Sequence, residues 1–221
     1  MATENIVFHP DIQSLNVPPG QIARYSGGSR YRMNPEMKDR AERIIEYAKT
    51  LIRPAFVYAI HVAADLGEKI QKALLLAGGD NPPEKTAVCV CTLGNLLEEK
   101  VKALSGSGDM LESVFLDAAG VSFLESLGGK ALRQIQSHAQ NNGLHAGCRF
   151  GPGYADAPMN MQQHIFSLVD ASVIGVSLNA SFVMNPAKSL SFWVNWYRKP
   201  QYEADRYKCK SCMMENCPYR V

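Results

Sequence analysis

Apolar and polar positions alternate along this chain in two rhythms. After Asn34-Pro35-Glu36, the residues Ala41, Ile44, Ile45, Ala48 and Ile52 recur at helical spacing. An asparagine cap, a proline in the first turn and an acid behind it mark where that helix starts. Arg53-Pro54 ends it, and Ala55 to Val62 reads as a buried strand carrying Phe56, Val57, Tyr58 and Ile60. Ile70 to Ala77 is apolar and fits helix or strand. Gly78 to Pro83 is a turn, and Thr86 to Thr92 is a second β-rich run.

Gly94 opens a helix to about Leu104, which Ser105-Gly106-Ser107-Gly108 breaks. A long helical stretch follows from Asp109 to about Gln140, with Gly128-Gly129 as a candidate interruption. Leu144 to Phe150 is extended and runs into Gly151-Pro152-Gly153-Tyr154. Residues 159 to 170 place Ile165, Phe166, Leu168 and Val169 on a helical face. Val173 to Leu178 and Ser189 to Trp196 read as paired strands. This interleaving is α+β, with helices packed on an antiparallel-rich curved sheet and no dinucleotide-type glycine turn after the first strand. Three regions are expected: an arm over 1–34, a domain over 35–197 and a Cys-rich tail over 198–221.

Composition narrows the function classes. Hydrophobic residues make up 46% of the chain and charged residues 20%, enough apolar material for a real core. Lys and Arg number 23 against 21 Asp and Glu, a net charge of +2. That balance offers no electrostatic footprint for nucleic acid. No apolar run approaches the ~20 residues of a membrane span. Met1 to Pro10 lacks the basic and apolar pattern of a signal peptide, so a cytoplasmic protein is expected.

In that compartment, three of the six cysteines crowded into Cys209-x2-Cys212-x4-Cys217-Pro218 point to metal ligands rather than disulfides. An iron–sulfur cluster and zinc both suit such thiolates, and Cys148, Cys89, Cys91 or a non-protein ligand could complete the set. The five histidines (His9, His61, His138, His145 and His164) are scattered and suggest no metal cluster.

Arg149-Phe150-Gly151-Pro152-Gly153-Tyr154, followed by Pro158, a short helix and Asp170, resembles the Arg-x-x-Pro-Gly-Tyr signature of the methionine synthase activation domain family. Further blocks follow in order: Ile174 to Leu178, Ala180 to Pro186, and Lys188-Ser189-Leu190-Ser191. Upstream, Arg53-Pro54, Thr92-Leu93-Gly94 and Leu116 to Gly120 resemble its short, stand-alone members. The resemblance covers roughly residues 22 to 196.

It implies binding of S-adenosylmethionine. Arg149 would grip the carboxylate with a bidentate fork. Gly151 and Gly153 would let backbone approach adenine and ribose, and Tyr154 would stack or hydrogen-bond. Glu125 would meet the ammonium, with Glu112 and Asp117 as competitors. The family's tyrosine after the Trp of its last strand falls on Val194, which leaves Trp193 as the expected late-strand cover.

The implied activity is reactivation of a corrinoid by reductive methylation. S-adenosylmethionine would give its methyl to cobalt, with positioning as the protein's main contribution. The chain lacks the Asp-x-His-x-x-Gly pattern of corrinoid-binding domains, so cobalamin is expected on a partner corrinoid protein, with a separate electron donor. The alternative expectation is a non-catalytic docking or redox module for a corrinoid protein.

Overall fold

A computed structural model describes residues 4–28, 30–74, 81–153 and 158–200. The strands are β1 (Ile6–Phe8), β2 (Ala55–Val62), β3 (Lys85–Thr92), β4 (His145–Phe150), β5 (Ser177–Leu178), β6 (Met184–Asn185) and β7 (Ser189–Tyr197). The helices are α1 (Pro19–Gly27), α2 (Pro35–Leu51), α3 (Glu68–Leu74), α4 (Leu96–Gly106), α5 (Met110–Asn141) and α6 (Gln162–Leu168).

Five strands form one antiparallel sheet in the order β1-β2-β3-β7-β4, while β5 and β6 pair separately. Side chains on successive strand positions point to opposite faces, and both faces of this sheet are covered. Phe56, Tyr58, Cys89, Cys91, Phe192, Val194 and Trp196 pack under helices including α2 and α5. Val57, Ala59, Val88, Val90 and Trp193 pack on the other face with Leu74 of α3 and Ile165 of α6. Near-continuous apolar runs such as Ala87-Val88-Cys89-Val90-Cys91 are what a doubly covered strand requires.

The helix at Pro35 starts as its sequence predicts, with the Asn34 side chain accepting from the Met37 amide at 2.8 Å. Ile70 to Leu74 is helical, within α3. Two expectations are corrected. Val173 and Ile174 lie in a 3-10 turn (Ala171–Ile174), and Ser177–Leu178 pairs with Met184–Asn185, not with Ser189–Trp196. That last segment is the long strand β7, held between β3 and β4. The helix α5 runs its full 32 residues through Gly128-Gly129 without a break. The described residues 4–28 contribute to both the sheet and the core. β1 joins the sheet edge, and Leu15, Val17, Ile22 and Ala23 are buried.

Candidate functional site

The candidate site lies where β4 and α5 meet. β4 pairs with β7 through Ala146↔Trp196 and Arg149↔Val194, with an irregularity between. Three residue steps on β4 therefore match two on β7. In an unbroken strand, three steps would put Ala146 and Arg149 on opposite faces. The extra residue restores parity and swings Arg149 to the face that Val194 and α5 share. Cys148 and Phe150 on either side of it pack into the opposite core.

Arg149 is then held from three directions. Its Nη2 donates to Glu125 Oε2 of α5 at 2.9 Å. Its guanidinium lies over the Phe192 ring, 5.6 Å from the centroid, where the ring face attracts the cation. Its Nη1 also lies against Gly128 of α5. Both charged partners keep some exposure, 24% for Arg149 and 37% for Glu125, so solvent reaches the pair.

Of the three candidate acids on α5, only Glu125 joins Arg149. Glu112 pairs with Arg40, and Asp117 accepts from Lys188 Nζ at 2.6 Å. Gly151 and Gly153 continue directly from β4. Gly151 is buried. At Gly153 the backbone takes φ +83°, which disfavours any residue with a Cβ, and a Cβ there would sit 3.1 Å from Met159 Sδ. Tyr154 lies outside the described residues.

Trp193 is not brought to this group. It is 1% exposed on the face opposite Arg149, its Nε1 donates to the Leu74 carbonyl at 3.0 Å, and it stacks on Phe150. The late-strand aromatic beside Arg149 is Phe192. Sequence reasoning passed over it, although the alternation Leu190, Phe192, Val194, Trp196 against Ser191, Trp193, Asn195 carries the information. Val194 is fully buried directly across the ladder from Arg149.

Beneath the same helix lies a second polar group. The Tyr58 hydroxyl and His138 Nδ1 share a hydrogen bond of 2.9 Å, and the Cys89 and Cys91 sulfurs are 3.9 Å apart. Burial, reinforced by the neighbouring Cys91, pushes the Cys89 thiol well above its ordinary value, with Arg149 opposing. Burial likewise raises Tyr58, with Cys89 adding to the shift. Cys89 and Cys91 have no exposed surface, and Cys148 is half-buried in the opposite core. Among the described residues, no three His, Cys, Asp or Glu side chains gather as a metal site. Cys209, Cys212 and Cys217 lie outside the described residues. A groove of about 550 Å³ between the N-terminal segment and α2, lined by Gln13, Leu15, Val17, Glu42, Ile45 and Lys49, is separate from the Arg149 group. No described helix is long and apolar enough to cross a membrane.

No protein-family model matches this sequence, and no curated protein matches it. Solved structures do. The mixed α+β architecture with its antiparallel sheet is the fold of the reactivation domains of methionine synthase. The chain is similar to the crystal structure of the MetH reactivation domain bound to AdoHcy, with a TM-score of 0.62 and 14% identity, over 90% of this chain and 80% of that one. At that identity the likeness establishes the fold.

Proposed function

We propose that this protein binds S-adenosylmethionine by its amino-acid end at Arg149 and Glu125, and presents its methyl group to a corrinoid carried by a partner protein. The observation that carries this is the Arg149–Glu125 pair, a cation and an anion one hydrogen bond apart and open to solvent on a reactivation-domain fold. An α-amino acid bears a carboxylate and an ammonium on one carbon. Entering between the two side chains, it exchanges one internal ion pair for two charge-assisted contacts. Arg149 suits the carboxylate because its planar fork donates two parallel hydrogen bonds.

The adenosyl group would extend toward Gly151 and Gly153, with Tyr154 as the aromatic partner. The solved neighbour contains AdoHcy, the product that remains once S-adenosylmethionine has lost its methyl. A corrinoid on the partner, once its Co(II) was reduced by one electron, would supply the nucleophile for the sulfonium methyl, with the thioether as leaving group. The chain's own residues anchor and orient the ligand, and no general base is needed because the sulfonium is already activated. The electron comes from a separate donor.

Titration calorimetry tests the reading. Wild-type protein should bind S-adenosylmethionine and S-adenosylhomocysteine. Arg149→Ala should weaken both by about 1.5–3 kcal/mol, the scale of a hydrogen bond to a charged group. 5′-Methylthioadenosine, which lacks the amino-acid end, should bind both proteins equally. Wild-type protein that binds neither nucleotide at millimolar concentration would end this reading and leave the docking or redox module.

For the tail, we propose that Cys209, Cys212 and Cys217 ligate an iron–sulfur cluster or zinc. Support comes from their spacing and the proline after the last thiol. Metal analysis after anaerobic purification should find iron with sulfide, or zinc, and Cys212→Ser should lose it. Metal-free wild-type protein would remove the proposal.

A further inference from the structure

Glycine in a helix interior is less favourable than alanine by about 1 kcal/mol, so two in succession in the middle of α5 call for a reason. The two differ sharply. A Cβ on Gly129 would meet only Arg133 Nη1, at an ordinary 3.6 Å. A Cβ on Gly128 would fall 2.6 Å from Arg149 Nη1 and 2.7 Å from Leu190 Cδ2. Gly128 lies three residues after Glu125, on the same side of the helix. The guanidinium thus crosses the bare helix backbone at Gly128 on its way to the acid one turn earlier.

The same device occurs once more along α5. Lys188 reaches Asp117 at 2.6 Å, and three residues after that acid a Cβ on Gly120 would meet Lys188 Cε at 3.0 Å and Leu97 Cδ2 at 2.8 Å. In both cases an acid is followed at the third position by a glycine, over which a basic side chain passes.

We infer that Gly128 is a positioning residue for ligand binding: the absence of its side chain sets Arg149 against α5 in register with Glu125, and so fixes the spacing at which an α-amino-acid zwitterion is gripped. The inference rests on the proposed role of the Arg149–Glu125 pair. Adding a methyl group at Gly128 displaces two side-chain ends, the Arg149 guanidinium and the Leu190 methyl, rather than backbone. The fold survives while the grip is lost.

The experiment compares wild type, Gly128→Ala and Gly129→Ala by melting temperature and by calorimetry with S-adenosylhomocysteine. Gly129→Ala should melt at or above wild type, and Gly128→Ala should stay folded with a cooperative transition. Gly128→Ala should bind about tenfold more weakly or worse, the loss expected when a charged hydrogen bond is misplaced. Gly129→Ala should bind as wild type does. Gly128→Ala/Leu190→Val removes the leucine contact and keeps the variant folded if the single change proves too crowded. Its affinity should stay low, and recovery to wild-type affinity would show that the glycine serves Leu190 and overturn the inference.

A ligand-free arm separates this inference from the proposed function. In wild type the denaturation midpoints of Arg149→Ala and Glu125→Ala should be interdependent, and in the Gly128→Ala background they should become additive. If wild type binds no S-adenosylhomocysteine, the proposed ligand fails, and this cycle alone decides the role of Gly128. Coupling that persists in the Gly128→Ala background overturns it.

Discussion

Cys89 and Tyr58 sit opposite one another on neighbouring strands beneath α5, and both are held in their neutral forms. The cause for each is burial first, with the nearby ionisable sulfur second. A folded-state pKa above the unfolded value means that the unfolded chain releases its proton earlier as pH rises. Stability is therefore complete below the ordinary thiol value of 9.0 and is lost as pH climbs past it and past the phenol value of 10.0. Urea midpoints followed from about pH 8 to about pH 11 should fall steadily, and Cys89→Ala should delay the decline. Midpoints flat across that range would show that these groups ionise freely in the fold. The raised thiol also bears on metal chemistry. A protonated, enclosed Cys89 is a poor ligand beside the exposed thiolates that metal sites use.

At the scale of elements, α5 and β4 carry the site, and they differ in how much of it their sequences disclose. Helix α5 was legible in extent, since its apolar spacing runs from Leu116 through Phe123, Leu127 and Ile135, all fully buried. Its glycines were not. A sequence cannot distinguish a glycine that breaks a helix from one that admits a side chain, because the difference lies in a partner from another element. Strand β4 was legible as extended chain, yet its facing depends on one inserted residue. Gly147 within the run was the available signal, since an interior glycine in a strand often marks a bulge. The β5–β6 pair was misread for a related reason. Ladders of two residues leave too little alternation to detect, while the nine-residue β7 kept its pattern but gave no hint of which strands flank it. The structure pairs Glu125 with Arg149; the sequence relates them only through the resemblance of their motifs, not through any periodicity.

For the molecule as a whole, the sheet separates two environments. One face buries Trp193, Phe150 and Ile165 in a core with no described role in binding; the other puts the charged pair at the margin of a core that includes the N-terminal segment. That segment is expected from sequence to be an arm, and its burial argues that the face carrying the Arg149–Glu125 pair depends on it. Ile22 is 0% exposed, Leu15 3% and Val17 7%, and α1 packs on α5, the helix that carries Glu125 and Gly128. Full burial of such side chains contributes about 1.5–3 kcal/mol each. Three of them therefore approach the roughly 5–15 kcal/mol that holds a whole domain together. β1 further covers the edge of β2, whose unpaired backbone would otherwise invite association. A chain beginning at residue 35 should consequently lose its cooperative thermal transition or aggregate, and should not bind S-adenosylhomocysteine. Circular dichroism melts and calorimetry on that truncated protein make the check. A soluble fragment that melts within a few degrees of the full chain and binds the nucleotide with unchanged affinity would show instead that the first 34 residues only decorate the surface, and that the sheet, α2 and α4 suffice to anchor α5.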